Sequence, residues 1–231
     1  MIQEGADIVD VGGESTRPGA KPVSVAEEVA RVLPIVRTIA ETFAVPVSID
    51  TSKPEVMREA VAAGASMIND VMALRAPDAL QTAADLGVPV CLMHMQGRPG
   101  TMQREPSYSN VVDEVAAFLD ERVAACEAAG IDRQRLIIDP GFGFGKSLDH
   151  NLSLLKNLRR FADTGLPLLV GISRKSMIGM ILNGAPEHQR LVGSISAAVL
   201  AMESGASILR VHDVKATMEA VRVVSAVRAA H

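Results

Sequence analysis

Asp50, Asn69 and Asp139 each sit at the end of a short apolar run: "PVSID", "SMIND" and "RLIID". Lys175 follows a fourth run, in "LLVGISRKS". An ionised carboxylate can only accept hydrogen bonds. Two carboxylates brought to one place repel each other unless a ligand arrives with donors. A flat, nitrogen-rich heterocycle with an adjacent carbonyl meets that need. Its N–H groups suit Asp50, Asp139 and the Asn69 amide, and its carbonyl suits the Lys175 ammonium. Phe144, within "GFGFG", is placed to pack against the edge of such a ring. Further along, Arg210 and His212 alternate in "SILRVHD" and so share one face of an extended segment. A helix beginning near Val214 turns its N-terminal amides the same way, and the combination suits an anion. Blander accounts exist: Asp50 as a helix cap, and Arg210 in an ion pair with Asp213.

Elements of fixed kinds must position these groups. Gly-Ala-Asp/Ser precedes an apolar run three times, at Gly5, Gly64 and Gly205. A Val-Pro-Val or Leu-Pro-Leu entry opens three more, and "RLIIDPG" is a seventh. Glycine ends the preceding helix and proline starts the strand. Amphipathic stretches lie between, with capping boxes predicted at Ser24/Glu27 and Ser52/Glu55, a kink at Pro34, and a helix over 148–162. Short apolar strands alternating with helices predict a parallel sheet covered on its outer face. The fold class is α/β, a TIM (β/α)8-type barrel with seven strands in this chain, in one domain over 1–231. "MIQEGAD" reads as the last turn of a helix whose strand is absent, so the first βα unit is expected to be largely missing. In such a barrel, ligands meet the C-terminal ends of the strands, where all the polar residues named above fall.

Several functions are excluded. "DPGFGFGKS" ends like a phosphate-binding loop, but Pro140 stands where that loop needs its first glycine. The net charge of −4 gives no electrostatic basis for binding nucleic acid or an anionic membrane. No apolar run approaches the ~20 residues of a membrane span. Two cysteines, Cys91 and Cys126, both in apolar surroundings, read as buried free thiols. With no signal peptide visible, the expected compartment is the cytoplasm.

Seven blocks together resemble the dihydropteroate synthase family: "GADIVDVGGESTRPGA", "PVSIDTSKPEV", "MINDV", "CLMHMQG", "IIDPGFGFGK", "GISRKSMIG" and "RVHDV". The resemblance implies joining 6-hydroxymethyl-dihydropterin diphosphate to p-aminobenzoate, with release of pyrophosphate. It implies pterin contacts at Asp50, Asn69, Val71, Met93, Asp139, Phe144, Gly171 and Lys175. Diphosphate ligands are implied at Thr16, Arg210 and His212. A p-aminobenzoate site is implied at Thr16, Arg17, Pro18, Phe144, Lys175 and Ser176, with 16–18 on a loop that closes over that substrate. Asp50, Asp139 and Lys175 become the expected catalytic groups. Mg²⁺ is the implied cofactor, although the family's metal-binding asparagine falls before Met1. A homodimer is implied as well. A chain lacking the first unit is expected to be weakly active or inactive, and a chain with it restored to be active. Two alternatives share the pterin mouth: a methyltetrahydrofolate-dependent methyltransferase and a pterin-binding remnant. The methyltransferase has no use for Arg210–His212 or for the 16–18 loop.

Overall fold

The computed structural model describes residues 1–17, 19–97, 101–103 and 105–230. Seven parallel strands alternate with helices, as the sequence predicts. They are β1 (Val9–Gly12), β2 (Val47–Asp50), β3 (Met67–Asp70), β4 (Val90–Met93), β5 (Leu136–Asp139), β6 (Leu169–Val170) and β7 (Ile208–Leu209). β1 to β5 pair in sequence order, the Ile138–Leu168 bridge joins β5 to the β6 segment, and β6 pairs with β7. Among the described residues no strand links β7 to β1, in keeping with seven strands of an eight-strand barrel. Side chains of Arg210 and Asp10 meet across that gap.

The two-residue period of a strand sorts the side chains into two layers. Val9, Val11, Val47, Ile49, Ile68, Val90, Leu92, Leu136, Ile138, Leu168 and Val170 face outward into the main core beneath the helices. The alternate residues face inward. Met67, Cys91, Ile137 and Leu169, with Ile208, form the inner floor. Two residues further along the same strands come Asn69, Met93, Asp139, Gly171 and Arg210. Stepping by two therefore leads from an apolar plug to a polar mouth.

The helices are α1 (Val25–Thr42), α2 (Pro54–Ala62), α3 (Ala79–Leu86), α4 (Val111–Ala128), α5 (Leu148–Lys156), α6 (Arg159–Ala162), α7 (Ser176–Ile181), α8 (Leu191–Glu203) and α9 (Val214–Ala229). α1 keeps half of the predicted capping box, with the Ser24 side chain accepting from the Glu27 N–H while the Glu27 carboxylate accepts from Arg31, and it carries Pro34 inside one continuous helix. Two expectations fail. The 148–162 stretch divides into α5 and α6. Ser52 does not cap α2, because its hydroxyl is taken by Asp70; Lys53 occupies the cap position and Pro54 starts the helix. Cys91 and Cys126 are buried free thiols. Among the described residues no helix is long and apolar enough to cross a membrane.

Candidate active site

The mouth centres on a charge cluster. Arg210 donates from Nε to Asp10 Oδ2 at 2.6 Å and from Nη2 to Asp50 Oδ2 at 2.9 Å. Asn69 Nδ2 donates to the same Asp10 oxygen at 3.2 Å. The blander alternative, Arg210 paired with Asp213, does not form: Arg174 holds Asp213 through Nε at 2.9 Å and Nη2 at 2.5 Å. Burial, reinforced by the Asp10 carboxylate, pushes Asp50 up to about 7 against the opposing pull of Arg210. Burial also raises Asp139, although the Gly141 N–H donates to its Oδ1 at 2.7 Å and Lys175 lies nearby. Lys175 is drawn down to about 8, chiefly by burial, with Asp139 acting the other way. The mouth thus holds groups whose protonation near neutrality responds to whatever ligand arrives.

An apolar wall completes one side. Val71, Met93, Met95, Met102 and Phe144 form their own buried cluster, so three residues of the expected pterin surface are brought together. The Lys175 Nζ stands 4.2 Å from the Phe144 ring centroid. Gly171 lies beside Arg210: a Cβ there would stand 3.8 Å from the arginine's own.

The loop after β5 owes its shape to glycine and to a buried lysine. Gly141 has φ +71°, and a Cβ there would lie 1.9 Å from the His94 carbonyl oxygen. Lys146 is 3% exposed. Its ammonium donates to the carbonyls of Gly141 (2.9 Å) and Phe144 (3.0 Å) and to His94 Nδ1 (2.8 Å). The resemblance to a phosphate loop thus dissolves, since this lysine stitches the loop to β4. Burial lowers Lys146 to about 7. Burial, then the Lys146 charge, keeps the His94 imidazole neutral and free to accept.

The anion side is looser. His212 is exposed, and its Nδ1 lies 3.1 Å from the Ser173 hydroxyl. Burial and the neighbouring Arg174 and Arg210 depress its pKa, which favours the neutral, hydrogen-bonding imidazole. α9 begins at Val214 as predicted. Thr16 and Arg17 lie on the loop between β1 and α1; Thr16 hydrogen-bonds to none of the mouth residues among those described. Arg17 reaches Glu187 at 3.6 Å, with both side chains exposed. Pro18 falls outside the described residues. Ser176 is exposed at the start of α7, directly after Lys175.

Sequence reasoning passed over Asp10 and Lys146. Asp10 sits between buried Val9 and Val11, an alternation that turns it inward. That was the available signal, but attention to strand ends misses a residue in mid-strand. Its Oδ1 is buried with no hydrogen-bond partner among the described residues.

Comparison with known proteins agrees with this geometry. Residues 1–212 match the family model described as "Pterin binding enzyme". The dihydropteroate synthase of Escherichia coli (strain K12) is 58% identical over 226 residues, spanning 98% of this chain and 80% of that one. A crystal structure of the Yersinia pestis dihydropteroate synthase in a sulfonamide drug complex superposes with a TM-score of 0.97. It is 51% identical and covers 99% of this chain and 83% of its own. The Xanthomonas albilineans enzyme with 4-aminobenzoic acid gives a TM-score of 0.95 at 54% identity, over 100% of this chain and 82% of that one. The chain belongs to the dihydropteroate synthases, transferases of folate biosynthesis within the pterin-binding enzyme family.

Proposed function

We propose that the mouth carries out the condensation with each substrate on its own set of residues, within one domain. Asp50, Asn69 and Asp139 take the pterin's donors, and Lys175 faces its carbonyl. Val71, Met93, Phe144 and Gly171 supply the surface on which the ring lies. Arg210, His212 and Thr16 take the diphosphate. Arg17, Pro18 and Ser176 take p-aminobenzoate, helped by Thr16, Phe144 and Lys175. The observation that carries this reading is the bond set of Arg210. One guanidinium joins the carboxylates at the pterin end to the side where an anion would lie.

When a diphosphate competes for Arg210, Asp10 and Asp50 lose a cation, and the pterin's N–H groups replace it on Asp50. Departure of pyrophosphate leaves positive charge on the pterin's exocyclic methylene. Asp50 and Asp139 stabilise that charge from fixed positions, at no reorganisation cost during the step. The weakly basic arylamine then attacks the methylene carbon and loses a proton, so no protein nucleophile takes part.

Mg²⁺ would depend largely on the diphosphate's own oxygens and water for its ligands. Among the described residues no three His, Cys, Asp or Glu side chains group to hold a metal, and no step above is routed through one. A homodimer is supported by apolar side chains left exposed on neighbouring helices: Met180 and Ile181 on α7, Val192 and Leu200 on α8, and Val223 and Val227 on α9.

Turnover tests the reading. Supplied with dihydropterin diphosphate and p-aminobenzoate, the chain is expected to form dihydropteroate and pyrophosphate in equal amounts. Because no strand joins β7 to β1 among the described residues, an N-terminal extension able to add an eighth strand there is expected to raise the rate. Absence of dihydropteroate from both forms, or product that forms without the arylamine, would overturn the proposal.

A further inference from the structure

A second charged cluster lies outside the mouth, at the base of the loop carrying Thr16 and Arg17. Glu28, in the first turn of α1, is 1% exposed. It accepts from the Thr51 hydroxyl at 2.6 Å and from the Lys53 ammonium. The same ammonium donates to Glu14, whose other oxygen accepts from the Val23 N–H at 3.4 Å. Glu14 and Val23 are the two ends of the loop, so this pair of bonds closes its neck. Arg31 adds a bond from Nη1 to the Gly13 carbonyl at 2.7 Å. The Gly13 backbone is seated so tightly on α1 that a Cβ would lie 2.8 Å from atoms of Glu28 and Val32. Beyond the neck, the loop's one charged contact among the described residues is the exposed Arg17–Glu187 pair at 3.6 Å.

A buried carboxylate is costly unless fully paired, and fold stability alone would be served as well by an apolar side chain. Here the buried carboxylate joins three segments: the β1–α1 loop, α1 and the turn after β2. Lys53 stands three residues after Asp50, and its N–H donates to the Thr51 hydroxyl. Burial works against the Lys53 charge, but the hydrogen bonds to Glu14 and Glu28 outweigh it and raise its pKa.

We propose that Glu14, Lys53 and Glu28 form a charge clamp that fixes the neck of this loop, positioning Thr16 and Arg17 over the strand end that bears Asp50. They set affinity for the arylamine without touching it. This rests on the assignment of Thr16 and Arg17 to p-aminobenzoate.

Glu14→Ala isolates the clamp, because it leaves Glu28 and Lys53 paired, whereas Lys53→Met would strand a buried carboxylate and destabilise the fold. In Glu14→Ala the KM for p-aminobenzoate is expected to rise about tenfold, with pterin affinity by calorimetry unchanged within about twofold. Glu14→Gln, which keeps the acceptor for Val23, should fall between the two. If Arg17→Ala raises that KM and Glu14→Ala does not, the clamp is refuted while the loop assignment stands. If neither variant moves it, the loop assignment itself fails. Pterin affinity falling in step with the KM effect would mark a merely structural role and also overturn the proposal.

Discussion

Asp50→Asn is expected to abolish most turnover and at the same time make the protein more stable above neutral pH. The activity loss follows from the proposed place of the carboxylate against the charge that develops on the pterin. Removing one such fixed electrostatic partner lowers kcat by about 10²–10³-fold. The stability gain follows from the pKa. An Asp in the unfolded chain titrates near its ordinary 3.8, whereas burial and Asp10 hold folded Asp50 at about 7. Between those values the folded state binds the extra proton, so wild-type stability falls as pH rises from about 4 to about 7 and stays lowered above that. Asn carries no such penalty. The Tm advantage of the variant should therefore be absent at pH 4, grow toward pH 7 and level off, each kcal/mol being worth roughly 2–4 °C in a chain of this size. Scanning calorimetry at several pH values checks this. An Asn variant that is less stable at pH 8 would mean that Arg210 outweighs burial at this site.

Removing the two partners of one ion pair should move the pH profile in opposite directions. The proposed pterin capture by ionised Asp50 predicts that kcat/KM for the pterin diphosphate falls as pH drops through about 7. Arg210→Met takes away the cation that favours ionised Asp50, and the acid limb should shift to higher pH. Asp10→Asn takes away a like charge, and the limb should shift to lower pH. Arg210→Met should also raise the KM for the diphosphate substrate by about 10–100-fold, the scale of a lost charge-assisted hydrogen bond. Limbs that move the same way in both variants would contradict the bond set seen at the mouth.

The layered barrel and much of the mouth were legible because both rest on the strand period. Asp50, Asn69 and Asp139 each stand two residues past an inward apolar or small neighbour, and the helix–strand alternation leaves them one direction to face. Residues bound through partners distant in sequence were not legible. Asp10 gains meaning from Arg210, 200 positions away. Ser52 looks like a cap until Asp70 takes its hydroxyl. Lys146 mimics a phosphate-loop lysine until its ammonium is found on its own loop's carbonyls and His94. Each is a tertiary contact overriding a local pattern that was sound by itself.

The claim on which the rest depends is that Asp139, with Asp50 and Asn69, binds the pterin ring, and calorimetric titration of 6-hydroxymethylpterin, which carries no diphosphate, isolates it. Wild type should bind, Arg210→Met at a pH above its shifted acid limb should retain binding, and Asp139→Asn should bind about 100-fold more weakly, the upper scale of a buried charged hydrogen bond. Equal affinity in wild type and Asp139→Asn would contradict the account.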